Sequence, residues 1–174
     1  MLRKVPELRL ARSPESTTIA TMSRDLIESG LGWTWRSERI ARCIRDRDTI
    51  TIVADSGKGL AGFAIMWVGD EHARLNLLAV DPEFRGQGLG RRLVEWLESS
   101  ALVAGTPIIY LEVRAKNHQA VKFYRRLGYR TVAVMPGYYK GRESALRMAR
   151  DLWEDAAAET GPASPWRPPS WLDL

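Results

Sequence analysis

One cysteine stands in 174 residues, so no disulfide can form within the chain. Cys43 shares a helical face with Ile40 and Ile44, which predicts a buried, inert thiol rather than a nucleophile. Histidine is nearly as scarce. His72 and His118 lie far apart with no cysteine partner, so no metal site is expected. No apolar run is long enough to span a membrane. The start, MLRKVPELRL, has positive charge but no apolar core and no cleavage-like site. Neither a signal peptide nor a membrane partner is expected, and the cytoplasm is the expected location. Blocks of like charge are missing too. The net charge is +5, but the basic residues are scattered through the chain. That pattern predicts a solvated surface and a local anion site rather than a nucleic-acid partner.

What is present suits one domain with a single sizeable core. ELRLAR alternates as a first strand, and Ser13 with Pro14 reads as a capped helix start. Ile19, Met22 and Leu26 follow at helical spacing, with Gly30 and Gly32 placed to end that helix. Ser37 is placed to cap a second helix. TITIVA, LAGFAIMWV and ARLNLLAV are strand-like runs separated by tight glycine-containing turns, which predicts an antiparallel meander. A helix from Leu89 to Ala101, the strand IIYLEV and a helix capped by Asn117 come next, with Gly105 and Gly128 as stops. YRTVAVM and SALRMARDL read as final strands around the loop PGYYKGRE. The expected fold is α/β (α+β): a mixed, largely antiparallel sheet of about seven strands with helices on both faces. The domain is expected over residues 1–153. Residues 154–174, with four prolines and two tryptophans, read as an irregular tail.

The stretch DPEFRGQGLGRRL, residues 81–93, sets Gly86, Gly88 and Gly90 at alternate positions between a strand and a helix, with arginines on both sides. A dinucleotide-binding turn spaces its glycines at first, third and sixth positions, and a P-loop ends in Gly-Lys before Ser or Thr. Neither matches. The general physics still points to an anion. Glycines let backbone N–H groups converge, and a helix start leaves N–H donors unpaired. Arg85, Arg91 and Arg92 are placed to add charge, and together these groups suit a pyrophosphate. A plain glycine turn before a basic helix remains the alternative.

LLAVDPEFRGQGLGRRLVEWL resembles the acetyl-CoA-binding motif of the GNAT N-acetyltransferases, whose Arg/Gln-x-x-Gly-x-Gly/Ala signature is filled by Arg85, Gly88 and Gly90. YLEVRAKNHQAVKFYRRLGY is similar to the second half of that fold. Within the family, LEVRAKN, FYRRLGY and GYYKGRESALRMARDL look most like the RimI type, the ribosomal-protein N-terminal alanine acetyltransferases. The resemblance departs in two places. The loop GYYKGRE is shorter than in that type, and GLGWTWR matches no RimI pattern.

The resemblance implies acetyl transfer from acetyl-CoA to an amine. The pyrophosphate would sit on the N–H groups of residues 86–91, so Arg85, Gly86, Gln87, Gly88, Leu89, Gly90 and Arg91 are cofactor candidates. The pantetheine arm would pair along the strand at Leu78, Ala79 and Val80. A backbone N–H at that strand end would face the thioester carbonyl, a preorganised contact worth roughly 3–4 kcal/mol. Asn117 is a helix cap and, by resemblance, a cofactor contact. Glu112 matches the general base of the RimI type, and Tyr124 matches the general acid that protonates the departing sulfur. From pattern alone, Glu112 reads as an exposed strand glutamate and Tyr124 as a core tyrosine.

The acceptor is open. An α-amine with pKa near 8 is about one-tenth neutral at pH 7, a cost of roughly 1.4 kcal/mol, against roughly 4.6 kcal/mol for a lysine amine. One glutamate base therefore suits an α-amine. Trp33 and Trp35 in GLGWTWR are candidates for an acceptor pocket or for plugs between two helices, and Tyr138 and Tyr139 are candidates for meeting an acceptor peptide. The alternatives are a small-molecule amine acetyltransferase acting on polyamines or aminoglycosides, and an acyl-CoA-binding regulator without turnover. A monomer or a homodimer suits any of these.

Overall fold

The computed structural model describes residues 5–158. Strands β1 (Glu7–Leu10), β2 (Thr49–Asp55), β3 (Leu60–Val68), β4 (Ala73–Val80), β5 (Ile108–Arg114), β6 (Arg130–Tyr139) and β7 (Glu143–Asp151) form one sheet in the order β1-β2-β3-β4-β5-β7-β6. Every neighbouring pair is antiparallel except β4 with β5. Helices α1 (Ser16–Leu26) and α2 (Ser37–Arg45) cover one face, burying Ile19, Ala20 and Ile40 against Val53, Phe63 and Ile65. Helices α3 (Leu89–Val103) and α4 (His118–Arg126) cover the other, where Leu93, Leu97 and Val121 pack with Ile52, Ala64 and Leu111. The mixed, mostly antiparallel seven-stranded sheet read from the sequence is the one that forms.

Local details differ from the sequence reading, each for a physical reason. Ser13 does not cap α1; it opens a single 3-10 turn ahead of it. The Glu15 carboxylate steadies that turn, accepting from the Arg12 N–H at 2.7 Å, while α1 itself has no side-chain cap. Ser37 is the first residue of α2, not its cap. Helix α1 ends at Leu26, before Gly30 and Gly32, because the N–H groups of Ile27 and Glu28 both turn back to the Ser23 carbonyl at 2.9 Å. The expected loop PGYYKGRE is mostly strand. β6 runs through Tyr139, and only Lys140, Gly141 and Arg142 separate it from β7. Pro136 is tolerated there because β6 is an edge strand whose register shifts between Met135 and Tyr139. β7 leads directly into α5 (Leu152–Ala158), across the boundary expected at residue 153. The rest of the expected tail, including Trp166 and Trp171, lies outside the described residues.

One irregularity shapes the centre of the molecule. On β4, Leu75 pairs with Met66 and Leu77 with Ile65, which leaves Asn76 as an extra residue. This bulge turns the strand over. Ala73 and Leu75 face the α3/α4 core, whereas Leu77 and Ala79 face the α1/α2 core. A bulge also sharpens strand twist. β4 accordingly keeps only two pairs with β5, Ala73 with Ile109 and Arg74 with Tyr110, before the strands part.

Candidate functional site

The parting of β4 and β5 opens a cleft through the sheet. Beyond Arg74 the β5-facing edge of β4 has no strand partner. The Asp81 N–H donates to the Ala61 carbonyl at 2.9 Å, so by antiparallel alternation Ala79 faces β3 and the backbone groups of Leu78 and Val80 face the open edge. The Val80 carbonyl already accepts from Arg85 Nε at 3.0 Å. An extended chain laid beside this edge would find the remaining donors and acceptors unpaired by strand.

Three cavities follow one another along the seam. The first, about 650 Å³, is walled by Leu78, Ala79 and Val80, by the glycine turn, and by Asn117, Phe123 and Tyr124. The second, about 220 Å³, shares Leu78, Asn117, Ala120 and Tyr124 with the first and adds Glu112 and Tyr139. The third, about 370 Å³, shares Glu112 and Tyr139 with the second and opens between Trp35, Arg74, Tyr138 and Lys140. Tyr124 thus stands at one junction and Glu112 at the other.

The first cavity gathers cations and unpaired N–H groups. Gly88 takes the N-cap position of α3 at φ +78°, a left-handed conformation that side chains adopt at a cost. The first ladder bond of α3 joins the Arg92 N–H to the Gly88 carbonyl, which leaves the N–H groups of Leu89, Gly90 and Arg91 outside the ladder. Gly90 serves differently. A Cβ there would lie 3.2 Å from the Phe123 ring, so glycine lets α3 approach α4 closely. Arg85 and Arg91 line the cavity, as does Arg126, which the sequence reading did not single out. Arg92 does not; its guanidinium turns away to the Pro6 carbonyl at 3.1 Å. Gln87 is also not in the wall, and its amide bonds the Glu83 carbonyl at 3.2 Å. Asn117 caps α4, accepting from the Ala120 N–H at 3.1 Å while lining the first two cavities.

Gly88→Ala is expected to weaken acetyl-CoA binding about tenfold, because relaxing the left-handed residue rotates the N–H groups that follow it. Gly57 has a similar φ of +81° in the turn between β2 and β3, far along the chain from the cleft. Gly57→Ala should cost a similar stability, roughly 1 kcal/mol, and leave binding intact. Calorimetric titration with thermal melts of both variants separates the two effects. Equal affinities would detach the glycine turn from the cofactor.

Tyr124 is buried among Phe123 and Tyr129, whose rings cross its own edgewise at 5.1 and 5.7 Å. Burial pushes its hydroxyl well above the ordinary value, with Tyr139 adding to the shift. Among the described residues that hydroxyl has no hydrogen-bond partner, and it borders both the first and the second cavity.

Glu112 is not the exposed strand glutamate that pattern alone suggested. Its side chain is 5% exposed. Arg74 sets Nε and Nη2 at 3.1 and 3.0 Å from Oε2, and Arg147 sets Nε and Nη2 at 3.2 and 3.0 Å from Oε1. Each carboxylate oxygen is thus held by its own guanidinium. Arg147 lies directly opposite Glu112 in the β5–β7 pairing, and both guanidiniums stand over the Tyr110 ring, at 5.8 and 5.5 Å. The sequence reading passed over both arginines. Their signal was a cation inside otherwise apolar strands, interpretable only once β7 is known to lie beside β5.

At the third cavity, Tyr138 accepts from Arg74 Nη2 at 2.9 Å. Tyr139 borders two cavities, and burial, with Tyr138 and Glu112 nearby, pushes its hydroxyl up to about 12. Trp35 lines the third cavity beneath Arg39, whose guanidinium carbon is 3.7 Å from the ring centroid. Trp33 does not line it. Its ring packs into the α1/α2 core and its N–H donates to the Ala20 and Trp35 carbonyls, both at 3.1 Å, so of the two expected readings it takes that of a plug. The loop carrying both tryptophans is pinned by buried Glu28, which accepts from the Thr34 N–H at 2.8 Å, the Thr34 hydroxyl at 2.6 Å and the Trp35 N–H at 3.2 Å. Among the described residues there is no group of three or more His, Cys, Asp or Glu side chains able to hold a metal, and no helix long and apolar enough to cross a membrane. Cys43 is half-buried against the α1/α2 core, and burial raises its thiol.

A split sheet with an open strand edge and an anion cradle at the head of the following helix defines an acyltransferase that draws on an acyl-CoA. Residues 18–129 match the family model described as acetyltransferase (GNAT) family, and the chain belongs to that family. It is an acetyl-CoA-dependent N-acetyltransferase. It is 40% identical over 100 residues to the [ribosomal protein bS18]-alanine N-acetyltransferase of Escherichia coli K12, an alignment covering 56% of this chain and 67% of that one. Its fold is similar to the crystal structure of the ribosomal-protein-S18-alanine N-acetyltransferase from Escherichia coli, with a TM-score of 0.73 and 27% identity over 84% of this chain and 93% of that one. An aminoglycoside 6'-N-acetyltransferase complexed with coenzyme A shares the fold at a TM-score of 0.69 and 19% identity, covering 84% and 97% of the two chains.

Proposed function

We propose that this chain acetylates the α-amine of a protein N-terminus, with Tyr124 and Glu112 serving the transfer. The observation that carries this reading is the order of groups along the cleft: anion cradle, Tyr124, Glu112, then an acceptor mouth walled by Tyr138 and Tyr139. The pyrophosphate rests on the N–H groups after Gly88, flanked by Arg85, Arg91 and Arg126. The pantetheine arm pairs with Leu78 and Val80, which brings the thioester to the second cavity. The acceptor amine enters from the third. Its nitrogen attacks the carbonyl, a C–N bond forms, the C–S bond breaks, and the sulfur leaves beside the Tyr124 hydroxyl. The amine's proton goes to Glu112, directly or through water.

The relatives that acetylate a ribosomal protein's alanine support a peptide acceptor. All these groups come from one chain, so a monomer or a homodimer suffices. We place the enzyme in the cytoplasm, with acetyl-CoA and an amine as its partners. An acceptor screen with acetyl-CoA tests the reading. Short peptides starting with Ala or Ser are expected to turn over, and polyamines and aminoglycosides are not. Turnover confined to small amines would move the protein to the alternative class. Acetyl-CoA binding with no transfer to any amine would make it a regulator.

A further inference from the structure

The charges around the third cavity are unbalanced. Its wall holds three cations, Arg39, Arg74 and Lys140, and two carboxylates, Glu28 and Glu112. Both carboxylates are already committed. Glu28 is buried and accepts from Thr34, Trp35 and Ser23, so it serves the loop and not the cavity. Glu112 is held by Arg74 and by a second guanidinium, that of Arg147. Among the described residues, Arg39 and Lys140 have no carboxylate partner. Arg39 is laid flat on Trp35, which fixes its position without neutralising it. Lys140 holds φ +52° at the head of the hairpin turn, and its ammonium lies against Gly32 across the mouth.

We propose that the acceptor is an amine that also carries an anionic group, a carboxylate or phosphate held by Arg39, Arg74 and Lys140 while the amine faces Glu112. This rests on the acetyltransferase reading and names its substrate class. Two physical consequences agree with it. Cations around an amine disfavour its protonated form, which is the form that cannot attack. Arg74 is also the more exposed of the two guanidiniums on Glu112, at 37% against 11% for Arg147. An acceptor anion can therefore draw Arg74 outward, uncovering Oε2 as the amine arrives. A polycation has nothing to pair with here and meets three like charges.

The test uses four probes: two Ala-starting peptides identical except for Asp or Lys at the second position, free aspartate, and spermidine. Transfer is measured as kcat/KM with saturating acetyl-CoA. Binding to the CoA-saturated protein is followed separately by tryptophan fluorescence. The Asp peptide or free aspartate is expected to exceed the Lys peptide about tenfold or more, mainly through KM, and the two anionic arms tell a peptide source from a free amino acid. In the Arg39→Gln, Lys140→Gln double variant, which leaves Arg74 on Glu112, the preference should fall below about threefold. Equal or better use of the Lys peptide or spermidine overturns the proposal, as does a preference untouched by the double variant. If no probe is acetylated but the anionic ones still bind preferentially, the acetyltransferase reading fails and the anion site stands.

Discussion

Tyr124→Phe is expected to fold as the parent does and to lose about 10- to 100-fold in kcat with little change in acetyl-CoA affinity. The fold should hold because the hydroxyl has no hydrogen-bond partner among the described residues, while its ring keeps its contacts with Phe123 and Tyr129. The size of the loss depends on what the hydroxyl does. A thiol of the cysteine type ionises near 8.5. Burial holds the Tyr124 hydroxyl well above its own ordinary value of 10. Complete proton transfer from tyrosine to the departing thiolate therefore runs uphill. A hydrogen bond donated to the sulfur does not, and one to a charged partner is worth about 1.5–3 kcal/mol, which sets the expected range. A loss near 10⁴-fold would instead assign Tyr124 full general-acid transfer. The same burial keeps the hydroxyl protonated across neutral and mildly alkaline pH, so the parent's kcat should show no falling limb from Tyr124 below about pH 10. Steady-state kinetics of both proteins from pH 6 to about 10, beside thermal melts, supply every readout. An unchanged kcat would remove Tyr124 from the mechanism.

The helices and strands were legible because their signals are local. Leu89, Leu93, Leu97 and Ala101 repeat at helical spacing and all four are buried on α3. The glycine turn was legible for the same reason, as a short pattern with its own stereochemistry. The chemistry around Glu112 was not. Arg74 comes from β4, Glu112 from β5 and Arg147 from β7, and they meet because β5 lies between β4 and β7, with Arg74 still paired to Tyr110 and Arg147 directly opposite Glu112. No window of sequence contains that geometry. Trp33 and Trp35 show the limit from the other side. Two residues apart in the same loop, both pack against the α1/α2 core and both lie under arginines, yet only Trp35 reaches the third cavity, while the Trp33 N–H is held by the Ala20 and Trp35 carbonyls. Tyr138 and Tyr139 fall in the stretch PGYYKGRE, which reads as a loop, yet an edge strand with a register shift absorbs Pro136 and Gly137.

Glu112→Gln carries the larger combined effect, since one substitution removes a candidate proton acceptor and the bridge between two guanidiniums. The amide oxygen can satisfy Arg74 or Arg147 but not both, and its NH₂ then faces the other cation as donor against donor. Breaking a buried pair costs about 3–5 kcal/mol, and the partial exposure of Arg74 reduces this to about 2–4 kcal/mol. In a chain of this size that is a fall in Tm of about 5–15 °C. Acetyl-CoA affinity should survive, because Glu112 borders the second and third cavities and not the first. Turnover, measured well below the new Tm, should fall by about 10²-fold or more at pH 7. Raising the pH then separates the two roles. An α-amine with pKa near 8 arrives largely neutral at pH 9.5, so a variant lacking only its proton acceptor should recover much of its rate there. A variant whose arginines have lost their anchor should not, because their disorder does not depend on the acceptor's protonation. Recovery at high pH assigns Glu112 the proton, and a flat deficit makes it a positioning residue for Arg74 and Arg147. In the resting geometry one guanidinium sits on each carboxylate oxygen, and outward movement of the more exposed one, Arg74, clears Oε2 for the first of these roles.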